Sequence, residues 1–221
     1  MGPRLLLFSF RANGTDARVG PPGAPVAFFH WNPLCPVDRF EPNQADGLAR
    51  KLAKNILWSL EALITRASLV DNSPFLAPQD FPWVKVMEEH APVIRRELEQ
   101  VMQRPELLPN FQEISSDQRS ITQDDRWKTY FLYGMGYKAE QNCARCPETT
   151  RLVEQVPGMK TAFFSILSPG KHIPPQRGLY KGFLRYHLGL IVPEPKEACW
   201  IRVDDRVAHW EEGKSLMFDD T

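Results

Sequence analysis

The chain has 221 residues, 43% of them hydrophobic and 24% charged, which is enough for one sizeable buried core or two small ones. Lysine plus arginine (27) balances aspartate plus glutamate (27), so no global basic field draws in nucleic acid, and no apolar run approaches the roughly 18 to 20 residues of a membrane span. Four cysteines, widely scattered, do not make a disulfide framework, and the apolar run at residues 5–10 is too short and too poorly followed for a secretion signal, so a cytoplasmic protein is expected.

Residues 1–45 are rich in proline and glycine and carry no sustained helix or strand period, which predicts a loosely ordered leader. Over residues 46–80 an amphipathic helix and linker are expected, because Leu48, Leu52, Ile56, Leu60, Leu63, Ile64 and Ala67 recur at helical spacing until Asp71-Asn72-Ser73-Pro74 stops the pattern. A second helix begins near Pro92, runs through Ile94, Leu98 and Val101, and ends at Arg104 before Pro105. The period then changes. Residues 127–133 are aromatic and β-branched as strands are, a short helix follows over 147–156, and four strand-like runs come after it at 162–167, 184–192, 199–203 and 215–218. Strands at that spacing without intervening helices predict an antiparallel sandwich or barrel, an α+β chain overall.

Three segments are candidates for chemistry. Cys143-Ala144-Arg145-Cys146 precedes a helix, whose dipole lowers a thiol pKa when the sulfur faces it, but no βαβ pattern surrounds the pair and a single CxxC does not complete a zinc site; a buried structural role is the expectation. His209-Trp210-Glu211 has the HxE half of an iron-binding triad without a later histidine, and reads as a strand end with both polar groups in water. The third is more distinctive. Arg185 and His187 alternate on one face of a strand whose other residues are apolar, downstream of a Pro/Gly turn at residues 169–170, and such a pair forms either an anion-binding wall or a solvated strand face.

The runs Phe164-Ser165-Ile166-Leu167-Ser168-Pro169-Gly170-Lys171-His172-Ile173-Pro174-Pro175, Leu184-Arg185-Tyr186-His187-Leu188-Gly189-Leu190 and Trp210-Glu211-Glu212-Gly213-Lys214-Ser215-Leu216-Met217-Phe218-Asp219-Asp220 resemble the aspartyl/asparaginyl β-hydroxylases, a family that includes lipid A hydroxylases. The likeness spans residues 81–221. It implies a double-stranded β-helix (a jelly roll, cupin-like) preceded by helices, and a dioxygenase that uses Fe(II) and 2-oxoglutarate to hydroxylate a peptidyl Asp or Asn or a lipid acyl chain. It also implies that Ser165, Arg185 and His187 bind the 2-oxoglutarate.

The same resemblance puts the first iron-binding histidine directly after Pro174-Pro175, where this chain has Gln176, a neutral and weak ligand. His172, four residues earlier, is a poor substitute. The second histidine and a further arginine belong beyond Asp220, and the sequence stops at Thr221, so the domain reads as incomplete before its last strands. Two expectations follow: an oxidoreductase of this family with little or no activity, or a non-catalytic module that holds a carboxylate or a partner protein on the same barrel.

Overall fold

The computed structural model describes residues 5–13, 73–114, 121–176 and 183–220. The amphipathic helix expected within 46–80 lies almost entirely outside them. The described part is a mixed α and antiparallel β structure. Its strands are β1 (Leu5–Asn13), β2 (Phe75–Leu76), β3 (Trp127–Gly134), β4 (Tyr137–Lys138), β5 (Met159–Leu167), β6 (Phe183–Ile191), β7 (Trp200–Val203), β8 (Arg206–His209) and β9 (Ser215–Phe218). Its α-helices are α1 (Pro82–Glu89), α2 (Ala91–Met102), α3 (Phe111–Ile114), α4 (Glu140–Arg145) and α5 (Pro147–Val153).

Seven strands form one open sheet in the order β2-β9-β6-β1-β5-β3-β4, and β7 with β8 forms a separate hairpin. Among the described residues no barrel closes. One face of the large sheet is covered by helices. Tyr130, Leu132, Phe164, Ile166, Tyr186, Leu188 and Met217 pack there against Val84 and Met87 of α1, Ile94 and Leu98 of α2 and Leu152 and Val153 of α5. Period-two alternation sends the intervening residues to the opposite face, where Leu7, Trp127 and Leu167 cluster with Val192 and Trp210. Cys199 and Ile201 pack against that cluster from the hairpin side.

The strand Leu5–Asn13 departs from the leader expected over 1–45. It lies at the centre of the sheet, between β5 and β6, with Leu7 opposite both Ser165 and Gly189 and Ser9 opposite His187. A continuous apolar run is the pattern of a strand covered on both faces, which short-range periodicity does not tell from a signal-like segment. The four downstream strand runs form as expected, and the helix α1 was not anticipated, because its apolar stripe is short and begins directly after the aromatic Phe81.

Two helix side chains lock the helix layer to the strands that carry the candidate site. Arg95 of α2 bonds the Leu190 carbonyl at 3.4 Å and Glu212 at 3.3 Å, and Glu88 of α1 accepts the Ser215 N–H at 2.9 Å. The ends of β6 and β9 are thereby fixed against the helices.

Candidate functional site

Ser165, Arg185 and His187 all lie on the hairpin face of the sheet, the face opposite the helices. Arg185 and His187 are two residues apart on β6 and are separated on that strand by the fully buried Tyr186 of the helix face. Ser165 belongs to β5, and β1 runs between β5 and β6, so the serine stands two strand spacings, roughly 10 Å, across the sheet from β6. The three residues share a surface, but Ser165 does not touch the other two by register.

Each has a definite environment. Ser165 Oγ accepts a hydrogen bond from Trp127 Nε1 at 2.9 Å, and the hydroxyl is buried. Thr129, its register partner on β3, is fully buried with an Oγ1 that has no hydrogen-bond partner. The His187 ring lies between two aromatic rings: Trp210 stacks on it at 5.9 Å and 23°, and Phe218 meets it edge-on at 4.9 Å and 88°. Arg185 pairs with the carboxylate of Asp220, both side chains being largely buried (17% and 16% exposed), while its Nε is buried without a partner.

Close approach of backbone holds Trp210 over His187. Residues 211–213 cross β6 at Gly189, which bridges to Glu212, and a Cβ at position 189 would lie 2.2 Å from the Glu211 carbonyl oxygen. Only glycine admits that crossing. The Trp210 N–H also donates to the Cys199 carbonyl at 3.2 Å, tying the crossing segment to the hairpin.

The loop after β5 is anchored as firmly. The Lys171 ammonium, with only 4% of its side chain exposed, donates to Thr122 Oγ1 at 2.6 Å and Asp124 Oδ1 at 2.9 Å. The bond from Lys171 holds the Asp124 carboxyl well below the usual carboxylate range. Gly170 adopts a positive φ of 70° in the turn that starts this loop. Beyond the anchor the chain reaches the surface, and His172 and Gln176 are both exposed.

These environments decide how the groups implied by the resemblance fit. Ferrous iron needs several imidazole or carboxylate donors around one point. Among the described residues no three His, Cys, Asp or Glu side chains gather, and an exposed glutamine and an exposed histidine are not such a set, so the residues present do not fit the metal. A carboxylate fits better. Arg185 already holds one, and its buried Nε has no acceptor of its own.

The other two candidates sit in structural surroundings. Cys143 and Cys146 are buried, and burial, followed by the nearby Glu97 carboxylate, pushes the Cys146 thiol up to about 12, opposite in sign to a dipole-activated thiol. Glu97 itself caps α5, accepting the N–H groups of Glu148 and Thr149 at 2.9 Å each. His209 and Glu211 are exposed on either side of buried Trp210, as expected of a strand end. The sequence reading missed Asp220 and Trp210 as site residues, although both stand in the motif at residues 210–220.

The aspartyl/asparaginyl beta-hydroxylase family profile matches residues 88–221. The chain is 46% identical over 197 residues to an ornithine lipid ester-linked acyl 2-hydroxylase from Rhizobium tropici, covering 89% of this chain and 68% of that protein. It is 34% identical over 143 residues to the human aspartyl/asparaginyl beta-hydroxylase, covering 62% of this chain but 18% of the human protein. A human aspartate beta-hydroxylase domain-containing protein 2 matches at 33% over 106 residues, 45% of this chain and 28% of its own length. With a profile match over more than half its length, the chain belongs to the aspartyl/asparaginyl β-hydroxylase family.

Proposed function

We propose that this chain is a jelly-roll member of its family that keeps the carboxylate-binding part of the site, on Ser165, Arg185 and His187, and has little or no iron-dependent hydroxylase activity. The observation that carries the reading is the Arg185–Asp220 pair, a guanidinium on the site face already gripping a carboxylate. The ligand is 2-oxoglutarate, whose two carboxylates match a guanidinium at one end and polar groups elsewhere on the face. The jelly-roll reading is supported by antiparallel strands in two layers, the large sheet and the hairpin that packs over it.

Loss of turnover follows from position 176. A glutamine amide brings neither imidazole basicity nor charge to ferrous iron, and His172 stands exposed in the same loop. In a hydroxylase of this type dioxygen is the oxidant and 2-oxoglutarate the co-reductant; what this chain's residues would do is bind and orient the keto acid. Of the two substrate classes, a lipid acyl chain is favoured, because the lipid hydroxylase is similar over more of the chain and at higher identity than the peptide hydroxylase.

Succinate formation tests the reading. Anaerobically prepared protein is supplied with Fe(II), 2-oxoglutarate and an ornithine-lipid substrate and then exposed to oxygen. Succinate at the level of a no-enzyme control is expected, and robust turnover refutes the inactivity. The second reading, a non-catalytic module that holds another carboxylate or a partner protein on the same barrel, is favoured if the metal-free chain does not bind 2-oxoglutarate.

A further inference from the structure

Among the described residues of the site face, two buried groups that can only donate lack a hydrogen-bond partner, Arg185 Nε and Trp210 Nε1. Guanidinium and indole N–H groups donate and never accept, so whatever satisfies them must bring oxygen or nitrogen acceptors. Trp210 is 6% exposed, which keeps bulk water from its ring. Both groups border His187: Arg185 precedes it by two residues on the same face of β6, and the Trp210 indole stacks on the imidazole. The Gly189 crossing and the bond to the Cys199 carbonyl fix the indole in place, so its N–H is held ready rather than left to find water.

We infer that Trp210 Nε1 donates a hydrogen bond to a carboxylate oxygen of the ligand that Arg185 anchors, the two donors holding a dicarboxylate across the His187 ring. Arg185 and His187 are two residues apart, roughly 7 Å of extended strand, and the Trp210 indole stacks over the His187 ring. A dicarboxylate has acceptors at two ends and serves both donors, whereas acetate serves one. The inference rests on Arg185 being the carboxylate anchor, and it adds a residue that selects for the second carboxylate.

Trp210→Phe removes the N–H while keeping an aromatic ring against His187. By calorimetry the variant binds 2-oxoglutarate about tenfold more weakly than the wild-type chain and binds acetate equally well. In the wild-type chain the Trp210 indole N–H resonance shifts as 2-oxoglutarate saturates the site, a readout that needs no variant to fold. Unchanged 2-oxoglutarate affinity in Trp210→Phe, or a Trp210 resonance that does not move on saturation, overturns the assignment, and if Arg185→Ala still abolishes binding the anchor stands. Absence of 2-oxoglutarate binding to the wild-type chain overturns both.

Discussion

Arg185 on β6 and Asp220 just beyond β9 form an ion pair in which each side chain is about five-sixths buried, so the guanidinium proposed to take a ligand carboxylate is already matched by a carboxylate of the same chain. A ligand carboxylate must displace Asp220 or share Arg185 with it. Asp220→Asn removes that competitor and leaves the guanidinium facing a neutral amide. Affinity for 2-oxoglutarate is expected to rise several-fold in calorimetry, while the melting temperature falls, because a largely buried charge has lost its partner. Unchanged affinity means that Asp220 does not compete.

Gly189 carries the crossing that sets Trp210 on His187. In Gly189→Ala the new methyl meets the Glu211 carbonyl oxygen, a backbone atom that moves only with the whole segment. Destabilisation of about 1–3 kcal/mol is expected. Loss of 2-oxoglutarate binding should accompany it, since the indole is dislodged. A melt and an isotherm matching wild type contradict the crossing.

Ionisation of buried thiols and phenols is expected to set the alkaline limit of the fold. Burial pushes Cys146, Tyr130 and Tyr133 up to about 12 and raises Tyr186 as well, from ordinary values of 9.0 for a thiol and 10.0 for a phenol. A folded value above the unfolded one gives stability that is complete below the unfolded value and drains away as pH rises toward the folded one. The melting temperature is expected to hold to about pH 9 and to fall from there to pH 12, and Cys143 and Cys146 should resist alkylation at pH 8 until the chain unfolds. Rapid labelling of either in the folded protein contradicts this.

Gln176→His restores an imidazole at the position where the family resemblance puts a metal ligand. With Co(II) as a stable probe, metal affinity is expected to rise about tenfold over the wild-type chain. Equal affinity in both means that the wild-type loop does not depend on residue 176 for metal.

Much of this was legible in the residues. Strands over 127–134 and 183–191 follow from aromatic, β-branched and alternating patterns, and the site face of β6 follows from the alternation of Arg185 and His187 with Leu184, Tyr186 and Leu188. β1 was not legible, because its run of consecutive apolar residues at 5–8 lacks the alternation that marks a strand and resembles a signal-like segment. Nor was the separation of Ser165 from His187: the insertion of β1 between β5 and β6 pairs segments roughly 150 to 185 residues apart, and no local pattern reports it. Asp220 and Trp210 were visible as motif residues, but their roles depend on a cross-strand ion pair and a ring stack that only the folded register creates.

The central claim is that Arg185 anchors a carboxylate on this face. The most direct measurement is the binding isotherm of 2-oxoglutarate to the metal-free chain, taken beside that of Arg185→Ala. Saturable binding by the wild-type chain, with at least a tenfold loss in the variant, is the predicted result; equal binding by both, or none by the wild-type chain, contradicts it.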